Sequence, residues 1–326
     1  MTRGLKIALA GTGSIGQRHL RNLLVAAPDT QVIFLRANAR RDTLSDNVGA
    51  KVVSDMAELL DCAPDALIIS TPSALHAQTL FGAIESDLPV YIEKPVVTSR
   101  ADLDRLQELI AARPDLPSLI GCNLRFLPSL QKLHDLARTE IGTIARAGFE
   151  AGQWLPDWRP AQDYRQSYSA SKEAGGGVIL DLLHEIDAAE WICGPLEVAA
   201  STTAQVPALG IQSEAVANIL LKRADPAMLV SVQMDYVARR PLRQYRIIGD
   251  AGTLTWSLTE RTLRLETAAE VRIVDCGADG FDMARTYERA MTEFLTAVRG
   301  GPQTSNPLQT GLPSNALALT AKEISC

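Results

Sequence analysis

The sequence predicts an α/β protein of two domains. A doubly wound parallel sheet comes first, followed by a second α/β domain with a large, mostly antiparallel open sheet. Three observations predict this. The first 122 residues alternate short apolar runs with longer amphipathic ones, which is the pattern of βαβ units. A glycine turn, GTGSIG at 11–16, lies between the first apolar run and the first amphipathic one. From about 196 to 275 the apolar residues recur with a period near two, as in strands that bury one face.

LKIALA (5–10) reads as a buried strand, and 15–26 as a helix that Pro28 stops. QVIFLR (31–36), DALIIST (65–71), VYIEK (90–94) and SLIGCN (118–123) are the further strands of the first sheet. The pattern changes after residue 122, so the expected domains are 1–122 and 123–326, with the C-terminal helices packing back on the first. In the second domain a helix is expected over 128–138 and a strand over 143–154. The polar, aromatic stretch 155–177 has no clear period and is long enough to be a functional loop. A helix over 178–193 follows, then seven alternating segments, then a helix over 281–300. Phe281, Ala284, Tyr287, Met291, Phe294 and Val298 form the stripe of that helix. A short helix is expected over 313–324.

Composition narrows the function. The chain has 326 residues and a net charge of −6, so no basic excess exists to neutralise nucleic-acid phosphates. No apolar stretch approaches the length of a membrane span, and the N-terminus is too short in its apolar part for a signal peptide. The five cysteines at 62, 122, 193, 276 and 326 suit free thiols in a reducing compartment, so a cytoplasmic protein is expected.

The glycine turn carries the first chemistry. Gly11 permits a tight turn, Gly13 allows backbone to approach a pyrophosphate, and Gly16 allows close packing of helix on strand. Thr12, Ser14 and Ile15 complete a loop whose free N–H groups face the phosphates at a helix N-terminus. This is the dinucleotide site of a Rossmann domain. Some 20 residues on, an NAD site usually carries an acid for the ribose hydroxyls. This chain has Arg36, with Arg40 and Arg41 close behind. A guanidinium pairs with a 2′-phosphate where a carboxylate would repel it. NADP is therefore expected in preference to NAD.

Three further stretches carry chemistry: STPSALH (70–76), YIEKPV (91–96) and GGGVILDLLHEID (175–187). With the glycine turn, and in this order, they resemble the Gfo/Idh/MocA family, the glucose–fructose oxidoreductase and inositol dehydrogenase group. The resemblance covers nearly the whole chain. It implies hydride transfer between a nicotinamide and a hydroxyl or keto carbon of a sugar, sugar derivative or cyclitol, with surface-sugar biosynthesis as one setting. It implies that Lys94 lies near both nicotinamide and substrate, and that Asp181 and His184 are the acid and histidine of the helix motif. Ser70, Thr71, Pro72, His76 and Glu93 join the cofactor residues. A neutral histidine can take a hydroxyl proton near pH 7, and Lys94 can stabilise the developing alkoxide.

The sequence departs from the family at one point. The family spacing from Asp to His is four, whereas here it is three, and Glu185 stands four after Asp181. Positions three and four apart share a helix face, so His184 is the expected base and Glu185 the alternative. Of the other histidines, His19 reads as structural and His134 as solvated. Trp158, Arg159, Tyr164, Arg165 and Lys172 in the 155–177 loop, with Asn123 and Arg125, are the substrate candidates. Asp181, His184 and Asp187 could be taken for ligands, yet no cysteine or second histidine is near, so no metal is expected. The open sheet predicts a homodimer or homotetramer. Two alternatives stay open: the same fold acting on a non-sugar ring of the dihydrodiol type, and a regulator that binds NADP without turnover.

Overall fold

The computed structural model describes residues 4–158, 160, 163–172 and 175–325. The chain forms two compact units, Met1–Cys122 with Tyr287–Leu312, and Asn123–Thr286 with Pro313–Cys326.

The first unit opens with β1 (Lys6–Ala10), α1 (Ser14–Ala26), β2 (Gln31–Leu35), α2 (Thr43–Asn47), β3 (Lys51–Val53) and α3 (Met56–Asp61). It continues with β4 (Ala66–Ile69), α4 (His76–Glu85), β5 (Val90–Ile92), α5 (Arg100–Ala111) and β6 (Ser118–Ile120). The six strands lie in the order β3-β2-β1-β4-β5-β6, and every pair is parallel. Strand order reverses between β1 and β4, the place where such sheets bind ligands. Helices cover both faces, so the central strands have no polar side: Ile7, Leu9, Leu67 and Ile69 are all fully buried. Strand β3 escapes the sequence reading because three residues at a sheet edge show no period. Pairing with β2 makes it a strand.

In the second unit come α6 (Pro128–Thr139), β7 (Ile144–Gly152), α7 (Val178–Asp181), α8 (Leu183–Cys193), β8 (Glu197–Ala204), β9 (Val216–Arg223) and β10 (Met228–Asp235). After them run β11 (Leu242–Gly249), β12 (Gly252–Ser257), β13 (Thr262–Thr267) and β14 (Val271–Ile273). The eight-stranded order is β14-β13-β12-β11-β7-β10-β9-β8. Only β7 and β10 pair in parallel. One face buries Phe149, Val232, Tyr245 and Trp256, and α6 and α8 pack on this sheet. Trp256 donates its indole N–H to Ser129 Oγ at 2.9 Å, tying β12 to α6. The expected fold class therefore stands. Two helices, α9 (Met283–Val298) and α10 (Leu308–Ile324), complete the chain.

Three expectations change. The helix expected over 178–193 breaks at Leu182, whose φ of −96° and ψ of 31° leave the helical region. Helix α9 buries Thr286, Ala290, Met291, Phe294, Leu295 and Ala297, while Ala284 of the expected stripe is exposed. Helix α10 starts at Leu308 and holds Pro313 inside it. Among the described residues no helix is long and apolar enough to cross a membrane.

Candidate active site

The glycine turn joins β1 to α1 at the reversal of strand order. Gly11 has φ +92°, a region that side chains disfavour. A Cβ there would also meet the backbone of Ser70 at 2.5 Å. A Cβ on Gly16 would strike the carbonyl of Gly11 and the Ser70 hydroxyl. Both glycines are thus demanded by the fold. Gly13 differs: a Cβ there would meet nothing within 4 Å. It caps α1 with no side chain of its own, so the helix N-terminus opens on free space. That space and those N–H groups fit a dinucleotide pyrophosphate. Thr12, Ser14 and Ile15 complete the rim.

Ser70 closes the turn from β4. Its N–H reaches the carbonyl of Ala10 at 2.8 Å, and its hydroxyl donates to Gly11 O at 3.0 Å. Thr71 and Pro72 follow. His76 lies one turn on, almost wholly buried. Its Nδ1 is 2.8 Å from Pro95 O and its Nε2 2.9 Å from Thr71 O. Burial pulls its pKa below the ordinary histidine value, against the two carbonyls. A neutral ring has one N–H, so His76 donates to one of these carbonyls and packs its other nitrogen against the second, between the β4 turn and the loop carrying Lys94.

Glu93, placed with the cofactor residues by sequence, turns instead to His19: Oε1 lies 2.7 Å from Nε2. Lys94, the next residue, is half-buried. Arg36 reaches the glycine turn, with Nη2 3.0 Å from Thr12 Oγ1. It also meets Asp42 at 3.1 Å. Backbone hydrogen bonding from Ser45, followed by Arg36, holds the Asp42 carboxyl below its usual range. Arg41 turns to Asp46 and the carbonyl of Ala50, and Arg40 is exposed. Of the three arginines, one touches the turn.

In the second unit Asp181 ends α7, buried. Tyr236, at the end of β10, donates its hydroxyl to Asp181 Oδ2 at 2.6 Å. Trp158 stands edge-on to Tyr236, centroids 5.3 Å apart. The Tyr236 phenol is pushed well above its ordinary pKa, by burial first and by Asp181 second, so it remains the donor. Because the helix breaks at Leu182, Asp181 and His184 occupy separate helical segments. The three-versus-four spacing therefore does not settle their relation, which the break absorbs.

Glu185 is fully buried. Arg243 lies 2.7 Å from its Oε1 and Tyr245 donates to the same oxygen at 3.1 Å. This carboxylate is held on one oxygen by both partners. His184 is half-buried on the first turn of α8. Asp187 takes both arms of Arg125, at 2.9 and 2.8 Å. That bidentate pair is buried, with side-chain exposures of 9% and 1%, so Arg125 clamps α8 and its substrate assignment has no free guanidinium behind it. Asn123 is likewise buried, donating to Thr286 Oγ1 at 2.8 Å.

The loop candidates divide. Tyr164 donates to Leu209 O and carries Arg165 over its ring. Lys172 is exposed. Arg159 lies outside the described residues. Trp158 borders a pocket of 120 Å³ with Gln153, Leu182 and Arg243. His134, expected in solvent, stacks on Trp191 at 4.6 Å. Sequence reading missed Tyr236, Tyr245 and Arg243, which carry no motif and are recognisable only by what they touch. Among the described residues no group of three or more His, Cys, Asp or Glu is placed to hold a metal.

Residues 5–117 match the model of an oxidoreductase family with an NAD-binding Rossmann fold. Residues 131–255 match the GFO/IDH/MocA C-terminal domain. The chain belongs to the Gfo/Idh/MocA family. Its first unit is accordingly an NAD-binding Rossmann domain. Within the family it is 28% identical over 202 residues to the rhizopine catabolism protein MocA of Rhizobium meliloti, covering 60% of this chain and 58% of that one. It is 24% identical over 325 residues to the inositol 2-dehydrogenase of Corynebacterium glutamicum, covering 94% and 89%. The match spans less than two thirds of MocA. The same holds for the uncharacterized oxidoreductase YrbE of Bacillus subtilis and the myo-inositol 2-dehydrogenase of Thermotoga maritima, at 55% each. Among solved structures, a levoglucosan dehydrogenase in complex with NADH superposes with a TM-score of 0.81 at 18% identity, covering 99% of this chain and 96% of that one. An oxidoreductase domain protein from Kribbella flavida gives 0.84 at 17%, covering 99% and 97%. At these identities the likeness is one of fold.

Proposed function

We propose that the protein is a nicotinamide-dependent dehydrogenase or reductase acting on a hydroxyl or keto carbon of a sugar, sugar derivative or cyclitol. The observation that carries this is the continuous chain of contacts in the first unit. The glycine turn touches Ser70, the His76 ring lies between the carbonyls of Thr71 and Pro95, and Lys94 stands beside Pro95. The names of the inositol dehydrogenase relatives support the substrate class.

The α1 N-terminus and the open space at Gly13 hold the phosphates, Gly11 and Gly16 shape the turn that presents them, and Thr71 and Pro72 flank it. When bound, the nicotinamide supplies the hydride acceptor or donor. Lys94 holds the reacting oxygen through its ammonium and stabilises its growing negative charge. His184 takes the hydroxyl proton in oxidation and returns it in reduction. In the second unit Tyr236 holds Asp181 by a hydrogen bond at 2.6 Å. Glu185 is spent on Arg243 and Tyr245, which favours His184 as the base.

Arg36 beside Thr12 supports a preference for NADP over NAD. Asp42 on the same guanidinium works against a 2′-phosphate and keeps the expected preference modest. Titration of NADPH and NADH by fluorescence, repeated with Arg36→Asp, tests it. Equal affinities unaltered by the change remove the preference. Turnover is tested by screening cyclitols and sugars with both cofactors. Cofactor binding without turnover of any of them would favour the regulator reading.

The same proposal includes self-association. The outer face of the eight-stranded sheet exposes Leu229, Val271 and Ile273 at 54%, 60% and 64%. Its 490 Å³ groove carries Glu150, Arg246, Arg264 and Glu266, a mixed-charge set that can pair with a second copy of itself. Sedimentation at micromolar protein tests it, and a clean monomer overturns it.

A further inference from the structure

Lys94 is flanked by two residues, and each is pinned by a buried histidine from a different helix. On one side, Glu93 accepts from His19 of α1 at 2.7 Å, with His19 wholly buried. On the other, the carbonyl of Pro95 meets His76 of α4 at 2.8 Å. We propose that His19 and His76 are positioning residues that bracket Lys94, His19 through Glu93 and His76 through Pro95. This rests on the reading of Lys94 as the group beside the nicotinamide.

The first half of the bracket is a built site. The ring of His19 meets Tyr91 edge-on at 4.7 Å and Tyr287 at 6.1 Å. Its Nδ1 is buried without a protein partner. An N–H on Nε2 donates to the carboxylate at 2.7 Å, which leaves Nε2–Glu93 as the ring's one hydrogen bond among the described residues. Gly121 makes room for the carboxylate, since a Cβ there would lie 2.9 Å from Glu93 Oε1. The N–H of Glu93 bonds Ile69 O at 2.9 Å, one residue past the end of β5 at Ile92, and the chain bends at Lys94. The residue before that bend is thus held by both its backbone and its side chain. Burying a carboxylate costs desolvation that a surface position would avoid. Here the buried bond links the helix that opens on the phosphates to the residue before Lys94. The second histidine fixes the chain just beyond, so Lys94 has little freedom to swing.

The test reads lysine position without needing a substrate. Lys94 is acetylated with acetic anhydride, with and without saturating NADH, and its labelling rate is followed by mass spectrometry. In the parent, NADH is expected to protect Lys94 by about tenfold, which needs the positioned state to be about 90% populated. Glu93→Ala and His19→Ala are each expected to reduce protection to less than about threefold, while NADH affinity by fluorescence changes little. Glu93→Gln, whose amide oxygen still accepts from His19, is expected to restore protection. His76→Ala is expected to act in the same direction as Glu93→Ala. Unchanged protection in both Glu93→Ala and His19→Ala, with the parent protected, overturns the bracket and leaves the reading of Lys94 standing. A parent that shows no protection overturns that reading, and the bracket with it. Should Glu93→Ala or His19→Ala not fold, Glu93→Asp carries the decision. It keeps the charge but shortens the reach, so full protection there overturns the bracket and weakened protection supports it.

Discussion

The glycine turn at 11–16 and the broken helix at 177–187 are built on opposite principles. In the turn, function lies in what is missing. Gly13 leaves free space above a helix N-terminus, and Gly11 and Gly16 make way for neighbouring backbone. In the broken helix, function lies in what is buried. Asp181, Glu185 and Asp187 are all under 5% exposed, and each is matched to a partner 55 to 62 positions away in sequence: Tyr236, Tyr245 and Arg125. The difference teaches how to read acids near an active site. Three carboxylates lie within seven residues of sequence, yet two are structural ties and one is held by a tyrosine. His184 is the titratable group between them that no other side chain of the motif replaces.

Six substitutions test this contrast. The largest effect is expected for His184→Ala, a loss of turnover of roughly 10²–10⁴-fold, the range for a general base. Glu185→Ala should leave the pH–rate profile in place. If Glu185→Ala instead removes the basic limb and His184→Ala keeps it, the assignment of the base is reversed.

Next come the buried ion pairs. Glu185→Ala and Asp187→Ala each remove a buried carboxylate from an arginine, and each is expected to cost about 3–5 kcal/mol of stability. Denaturant unfolding measures it. A loss under about 1 kcal/mol, the range of surface pairs, would mean these acids are more hydrated than their geometry implies.

Tyr236→Phe should cost about 1.5–3 kcal/mol, the worth of a hydrogen bond to a charged group. The sign of its pH dependence is definite. A phenol whose folded pKa is raised above its ordinary 10.0 adds stability below that pH and loses it as pH climbs toward the folded value. The parent's advantage over the Phe variant should therefore narrow above pH 10. Tyr91 and Tyr245, also raised, are common to both proteins and cancel. A gap that is flat with pH would separate Tyr236 from this account.

The smallest effect on the fold is expected at Gly13→Ala. Nothing stands near its Cβ, so stability should move by no more than about 0.5 kcal/mol. NADH binding should weaken by about tenfold or more, about 1.4 kcal/mol, because the methyl enters the phosphate space. Gly11→Ala, with a positive φ and a 2.5 Å clash, should instead damage folding. Equal behaviour of the two variants would erase the distinction between a glycine kept for the fold and one kept for a ligand.

Much of this was legible in the residues. The strands of the first sheet, the turn, EKP and the GGG block announced a dinucleotide fold and its family in order. Strand β3 was not legible, because three edge residues carry no period. Nor was the break at Leu182, since nothing in VILDLLHEID forbids a continuous helix. The partners of Glu93 and Arg125 were not legible either, because His19 and Asp187 lie 74 and 62 positions away.

By itself the sequence determined the features that depend on local chemistry. Backbone freedom at glycine, the period of apolar residues and the order of motifs act over a few residues, and they specify an NAD-binding Rossmann unit followed by an open sheet. Tertiary structure alone decided which charged side chains are free to act. A carboxylate's availability depends on its burial and on the donors that surround it, and those donors arrive from distant strands and helices only when the chain has folded.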